Sequence, residues 1–290
     1  LCYCNQSHNR QWKKKIRVLS LFDGISTGLV ALKNLNFDVD CYYSSEIDTN
    51  AIMVSQHNHG DKVIQLGDVR KIDETTIRKI VPIHLLLGGS PCNELSSANP
   101  KRRGLDDSNG TGILFYEYHR ILELLRKYYM SCDFFWLFEN VSSMTSVTRD
   151  KISKILKQDP LLVDSAEYST QRRKRLFWTN FKNVETNKEE SQLQQILDEN
   201  FDRQALVRTL KTITTSSMSL AKNKVVTMNG KIDFLWVTEI EKIFYLPQHY
   251  TDVANLNKTA RLNLLGKAWC VKTIMFFLRT VQDVFERKIK

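Results

Sequence analysis

Continuous apolar runs, more than alternation, mark the first half of the chain. "IRVLSLF" at 16–22 and "IHLLLGG" at 83–89 are apolar at nearly every position. Such runs predict strands covered on both faces of a sheet. "CYYSSE" (41–46), "VIQLGDVR" (63–70) and "DFFWLFEN" (133–140) read as three more strands. Residues 25–35 and "GILFYEYHRILELLRKYY" (112–129) carry helical spacing instead. Strands alternating with helices predict βαβ units and a mostly parallel, doubly wound α/β sheet. Ligands of such sheets sit beyond the carboxyl ends of the strands, the edge where the turns after these runs fall.

After "RKRLFWTNF" (173–181) the pattern fades. Residues 182–235 are polar and weakly periodic, with five basic residues and no acidic one between 207 and 231. They read as a separate, mostly irregular lobe. "FLWVTEIEKIF" (234–244) restores helical spacing, and a last helix at about 269–286 returns apolar residues to the core. The expected organisation is a polar linker at 1–15, a core formed by 16–181 and 236–290, and the lobe at 182–235.

Composition narrows the function classes. Hydrophobic residues make up 42% of 290, enough for a sizeable core, and no apolar run is long enough for a membrane span. The net charge of +10 points to a polyanionic partner. Six cysteines at irregular spacing suggest no disulfide framework and fit a reducing compartment. "CYC" at 2–4 leaves open the tail of a zinc module upstream, and the missing initial Met reads as a piece of a longer protein.

The candidate chemistry lies in the turns. "FDGISTG" follows the first strand directly, and its glycines let backbone N–H groups approach a ligand at a helix N-terminus. It is not GxGxxG, so a dinucleotide is disfavoured. Glu46 ends the second strand, where a carboxylate can hold ribose hydroxyls, and Asp68 in "GDVR" can accept from an adenine amino group. A ribose clamp and an adenine clamp without a phosphate signature suggest S-adenosylmethionine. In "GGSPCNELS" (88–96), Gly88, Gly89 and Pro91 constrain a loop carrying a lone thiol, Cys92, beside that site. Glu139 in "FEN" ends the neighbouring strand, and Gln171, Arg173 and Arg175 in "QRRKR" alternate onto one face. A nucleophile, an acid and guanidinium groups on adjoining strand ends suit methylation of cytosine at C5. A base inside a duplex must be flipped out for that reaction.

These stretches resemble the ordered motifs of DNA (cytosine-5) methyltransferases. "IRVLSLFDGISTGL", "GGSPCNELS", "FFWLFENV", "TITT", "HYTDV" and "LLGKAW" are similar to the animal de novo type, the third DNA methyltransferase family, from about 16 to 286. The resemblance implies a Rossmann-like, S-adenosylmethionine-dependent methyltransferase fold with a small irregular target-recognition lobe. It implies Cys92 as nucleophile, Glu139 as acid, and Arg173 and Arg175 as base-orienting residues. It implies a cofactor pocket of Phe22, Asp23, Gly24, Ile25, Thr27, Glu46, Ile47, Asp68, Val69, Gly89 and Leu114, closed by Lys267, Ala268 and Trp269. No metal ligands are implied.

The partner implied is double-stranded DNA, mainly at cytosine–guanine steps, in the nucleus, with chromatin contacts through a region preceding this chain. DNA-reading positions fall at Ser216, Met218, Lys222 and Lys224. Self-association is expected through Phe115 and Tyr116, and through Asp252 and Arg261 pairing across a two-fold axis. The chain departs from the family in Lys267, where Arg is usual, in Ser26 and Glu94, and in a longer loop at 105–112. A weakly active or inactive regulatory member of the same family is the main alternative. A tRNA cytosine methyltransferase and a nicotinamide oxidoreductase fit the motifs less well.

Overall fold

The apolar runs form the centre of a seven-stranded sheet. The computed structural model describes residues 12–128, 134–182, 184, 189, 191–215 and 224–287. In chain order the strands are β1 (Ile16–Leu21), β2 (Val39–Ser45), β3 (Val63–Gln65), β4 (Leu85–Gly88), β5 (Phe135–Val141), β6 (Leu161–Asp164) and β7 (Lys174–Thr179). Their order across the sheet is β3-β2-β1-β4-β5-β7-β6. The first five are parallel, and β7 runs antiparallel between β5 and β6.

The helices are α1 (Thr27–Asn34), α2 (Thr49–His59), α3 (Glu74–Ile80), α4 (Leu114–Arg126), α5 (Ser146–Leu156), α6 (Val237–Ile243), α7 (Lys258–Lys267) and α8 (Val271–Phe285). Side chains of successive strand residues point to opposite faces, and the core divides on that parity. Val18, Leu85, Leu87 and Leu137 face one cluster with Leu29 of α1 and Phe277 of α8. Leu19, Leu86, Trp136 and Phe138 face the other, with Ile77 of α3, Phe115 of α4 and Ile152 of α5. Both faces are covered, which is why the strands read as continuous apolar runs.

Several expectations are corrected. β3 stops at Gln65, because Gly67 turns the chain at φ +72°. Asp68 therefore sits beyond the strand and caps a short 3-10 turn, Val69–Lys71. The 182–235 lobe is less irregular than its composition suggests. Arg203–Ala205, Val226–Met228 and Lys231–Asp233 pair there as a small antiparallel sheet. The Arg203 guanidinium is buried within it. It donates to both Glu239 oxygens at 2.7 and 2.8 Å and to Asp233 at 2.7 Å, and stacks on Trp236. Within the expected linker, Trp12–Lys13 pairs with Glu286–Arg287.

Of the two expected contact surfaces, the first differs at one residue. Phe115 is fully buried, packed against Phe138 with ring centroids 5.3 Å apart, and only Tyr116 reaches outward. Its hydroxyl donates to Asp106 at 2.6 Å. Arg261 pairs with Asp252 at 3.3 Å and with buried Glu241 at 3.2 Å inside the same chain. That network holds the 249–252 turn, since Glu241 also accepts from the backbone N–H groups of His249 and Thr251.

Candidate active site

The turn after β1 is built from alternating left-handed residues. Phe22, Gly24 and Ser26 have φ of 57, 59 and 58°. Non-glycine residues rarely adopt that region, and such strain gathers at functional sites. The Asp23 carboxylate holds the turn from inside, accepting from the hydroxyls of Ser26 and Tyr42, both at 2.6 Å. Burial raises its pKa, and these hydroxyls oppose the rise. The side chain of Asp23, expected on the cofactor, thus points into the fold. Glu46 receives the N–H of Gly24 at 2.8 Å, and its other oxygen takes those of Ile47 and Asp48. One carboxylate ties the end of β2 to the glycine turn. Asp68 is held by Arg70, whose guanidinium lies 2.6 Å away and holds the carboxyl below its usual range.

The thiol loop starts where β4 ends. Gly88 leaves no room for a side chain, since a Cβ would stand 2.6 Å from the Tyr118 ring. At Gly89 a Cβ would lie 2.9 Å from Glu139 Oε2 and 3.2 Å from the Trp269 indole. These close approaches account for the glycine pair. Cys92 opens the next turn, its carbonyl accepting from the N–H groups of Leu95 and Ser96. Asn140 braces the loop by donating to the carbonyl and hydroxyl of Ser90, both at 3.2 Å.

Glu139 is buried at the end of β5. Arg175 Nε binds one oxygen at 2.9 Å and Trp269 Nε1 donates to the other at 3.0 Å. Cys92 is half-buried, and burial followed by the charge of Glu139 raises its pKa, against the pull of Arg175 and Arg173. The resting residue is therefore a neutral thiol at neutral pH, not the ready thiolate that an exposed cationic setting predicts.

The two arginines divide. Arg175 faces the acid. Arg173 is buried, and its guanidinium donates to the carbonyls of Ile213, Gly266 and Ala268 at 2.9, 3.2 and 3.0 Å. Burial, then the like charge of Arg175, lowers its pKa to about 9, which still leaves it protonated at neutral pH. Lys267 reaches across to Asp48 at 3.0 Å.

All the expected catalytic and cofactor positions line one cleft of about 1750 Å³ beyond the carboxyl ends of the parallel strands. Single small-molecule sites are typically ~300–1,000 Å³, so this cleft has room for a cofactor and a second ligand. Sequence reasoning missed Asp48 and Arg70, whose signals were an Asp before a helix and an Arg two residues after an acid. It also missed that Thr212, Thr214 and Thr215 of the lobe reach this cleft. Of the expected DNA-reading residues, Lys224 is exposed, its ammonium 5.1 Å from the Phe234 ring centroid. Ser216, Met218 and Lys222 lie outside the described residues. Among the described residues no helix is long and apolar enough to cross a membrane, and no group of His, Cys, Asp and Glu is arranged to hold a metal.

The family model for C-5 cytosine-specific DNA methylases matches residues 16–246. The orphan methyltransferase M.Rho11sI of Bacillus phage rho11s is 37% identical over 139 residues, 47% of this chain and 25% of that protein. The DNA (cytosine-5)-methyltransferase DRM1 of Arabidopsis thaliana is 38% identical over 122 residues, 39% of this chain and 19% of that protein. This chain thus spans a quarter or less of the length of these two relatives. Among solved structures, the Entamoeba histolytica methyltransferase EhMeth superposes with a TM-score of 0.74 at 15% identity, covering 95% of this chain and all of that one. A mutant of Spodoptera frugiperda DNMT2 gives 0.67 at 18% identity, covering 92% and 99%. Identities this low speak for the fold alone.

Proposed function

The chain belongs to the C-5 cytosine-specific DNA methylases, and from that premise we propose that it methylates cytosine in duplex DNA from S-adenosylmethionine. The observation that carries this reading is the position of Glu139. It is fixed by Arg175 and Trp269 on the wall facing the Cys92 loop, in one cleft with the Glu46 edge.

The cleft suits the cofactor. The strained glycine turn brings its backbone to the cleft edge, Glu46 keeps lone pairs for ribose hydroxyls beside the backbone N–H groups it accepts, and Ile47, 67% exposed, offers an apolar surface for an adenine. When bound, S-adenosylmethionine supplies an electrophilic methyl group. The protein's part is to make C5 of the base nucleophilic. Cys92 Sγ adds to C6 of a flipped cytosine, while Glu139 gives a proton to N3 and so accommodates the displaced electron pair. Arg175, already on Glu139, orients that acid and holds the O2 edge of the base. Cys92 releases its thiol proton to solvent as it attacks. Once C5 carries the methyl group its proton also passes to solvent, N3 returns its proton to Glu139, and the C5–H electron pair forms the C5–C6 double bond as the C6–Sγ bond breaks and the Cys92 thiolate leaves. With Glu139 carrying the proton meant for N3, the charge opposing Cys92 ionisation is gone, and two guanidiniums favour it.

The de novo type, a preference for cytosine followed by guanine, and a nuclear setting belong to the same proposal. They are supported by the likeness of "TITT", "HYTDV" and "LLGKAW" to the animal family. Bisulfite sequencing of duplex DNA after incubation with the protein and S-adenosylmethionine tests the whole. Converted reads retaining cytosine are expected, and a complete absence of them overturns the reading.

A further inference from the structure

Arg173 is an unusual choice for a position beside a catalytic pocket. Its side chain is buried, its neighbour Arg175 repels it, and among the described residues its guanidinium makes no ion pair. Burying a charge is costly unless hydrogen bonds compensate it. Here the compensation comes from three backbone carbonyls on two distant segments. Ile213 lies 40 positions along the chain, and Gly266 and Ala268 lie 93 and 95 along.

Each segment has a second set of contacts. The N–H of Ile213 donates to the Gln171 side chain at 2.7 Å, and the Thr212 hydroxyl donates to the Arg172 carbonyl at 2.7 Å. Both backbone groups of Ile213 are thus gripped from the 171–173 segment that leads into β7. The four residues 266–269 contact three regions in turn. A Cβ at Gly266 would lie 2.8 Å from the Thr214 carbonyl carbon and from the Thr215 nitrogen, so the lobe backbone rests on this glycine. Lys267 binds Asp48 beside the Glu46 edge. Trp269 donates to Glu139.

We propose that Arg173 is a positioning residue and not a base-orienting one. It pins the 212–215 segment of the recognition lobe to the 266–269 turn, so that filling the cofactor edge and placing the lobe on DNA become one energetic event. The inference rests on the function proposed above. A planar guanidinium offers five donors in a fixed fork that reaches two backbone segments at once, whereas a lysine ammonium offers three on one compact head.

Duplex binding is measured by fluorescence anisotropy with and without saturating S-adenosylhomocysteine, in wild type, Arg173→Lys and Arg175→Lys. The wild type should bind duplex at least about fivefold more tightly with the product present, the lower end of ordinary site-to-site coupling. Arg173→Lys should bring that ratio close to one and raise KM for DNA. Arg175→Lys should lower kcat and keep the ratio. An unchanged ratio in Arg173→Lys overturns the proposal, as does a wild-type ratio of one. Should Arg173→Lys not fold, hydrogen exchange in the wild type decides. S-adenosylhomocysteine should slow exchange across 210–215, and no change there overturns the proposal. If product and DNA each bind but independently, only this inference fails. If the product does not bind at all, the proposed function falls first and this inference with it.

Discussion

At Cys92 burial and a nearby carboxylate act together against ionisation, so the thiol keeps its proton at neutral pH. A raised thiol pKa means the thiolate fraction, and with it the alkylation rate, climbs only on the alkaline side of an ordinary cysteine. Iodoacetamide labelling of Cys92 against pH should show that late midpoint, and Glu139→Gln should move it to lower pH by removing the second cause. A midpoint unmoved by that substitution would leave burial as the whole explanation. Cys92→Ser should cut methyl transfer by about a thousandfold or more, the scale on which loss of a nucleophile acts, with S-adenosylmethionine affinity by calorimetry unchanged. The "GGSPCN" and "FEN" motifs were legible because their geometry is local, the last residues of a strand and the short loop after one. The separate roles of Arg173 and Arg175 were not. Alternation in the sequence reads as one face, but Arg173 precedes β7, and what each touches is decided by Ile213, Gly266 and Glu139, none of them near in sequence.

At the scale of elements, the glycine pair at the end of β4 and the lobe sheet are each held by one tight arrangement. Gly89→Ala would drive a methyl group to 2.9 Å from Glu139 Oε2. Overpacking of this kind costs about 1–3 kcal/mol, and here it falls on the acid, so kcat should drop by at least about tenfold even where the melting temperature barely moves. In the lobe, Arg203→Ala would leave Glu239 and Asp233 facing each other without their shared cation. Removing one partner from a buried ion network typically costs about 3–5 kcal/mol. Chemical denaturation should show that loss, with duplex binding weakened and S-adenosylmethionine binding retained. The lobe sheet was illegible because its three-residue strands, "RQA", "VTM" and "KID", are too short and polar for a period-two signal. The buried strands β1, β4 and β5 were legible for the opposite reason. Phe115 misled because an aromatic residue on an amphipathic helix reads the same whether its face meets the core or another molecule.

For the whole molecule, charge and topology set the terms of the proposed DNA binding. A net charge of +10 predicts affinity dominated by phosphate contacts. The logarithm of the duplex binding constant should fall linearly with the logarithm of salt concentration. A flat response would mean that the excess charge lies away from the bound strand. The parallel sheet gathers its turns on one edge, and everything assigned to chemistry is there. The opposite edge holds a different feature. Trp12–Lys13 pairs with Glu286–Arg287, and Lys14 donates to the carbonyl of Phe285, beside the amino ends of β1, β4 and β5. The first and last described residues are therefore neighbours, on the far side of the sheet from the cleft. Any segment joined before Trp12 and any joined after Arg287 would therefore leave the sheet side by side, on the face away from the cleft.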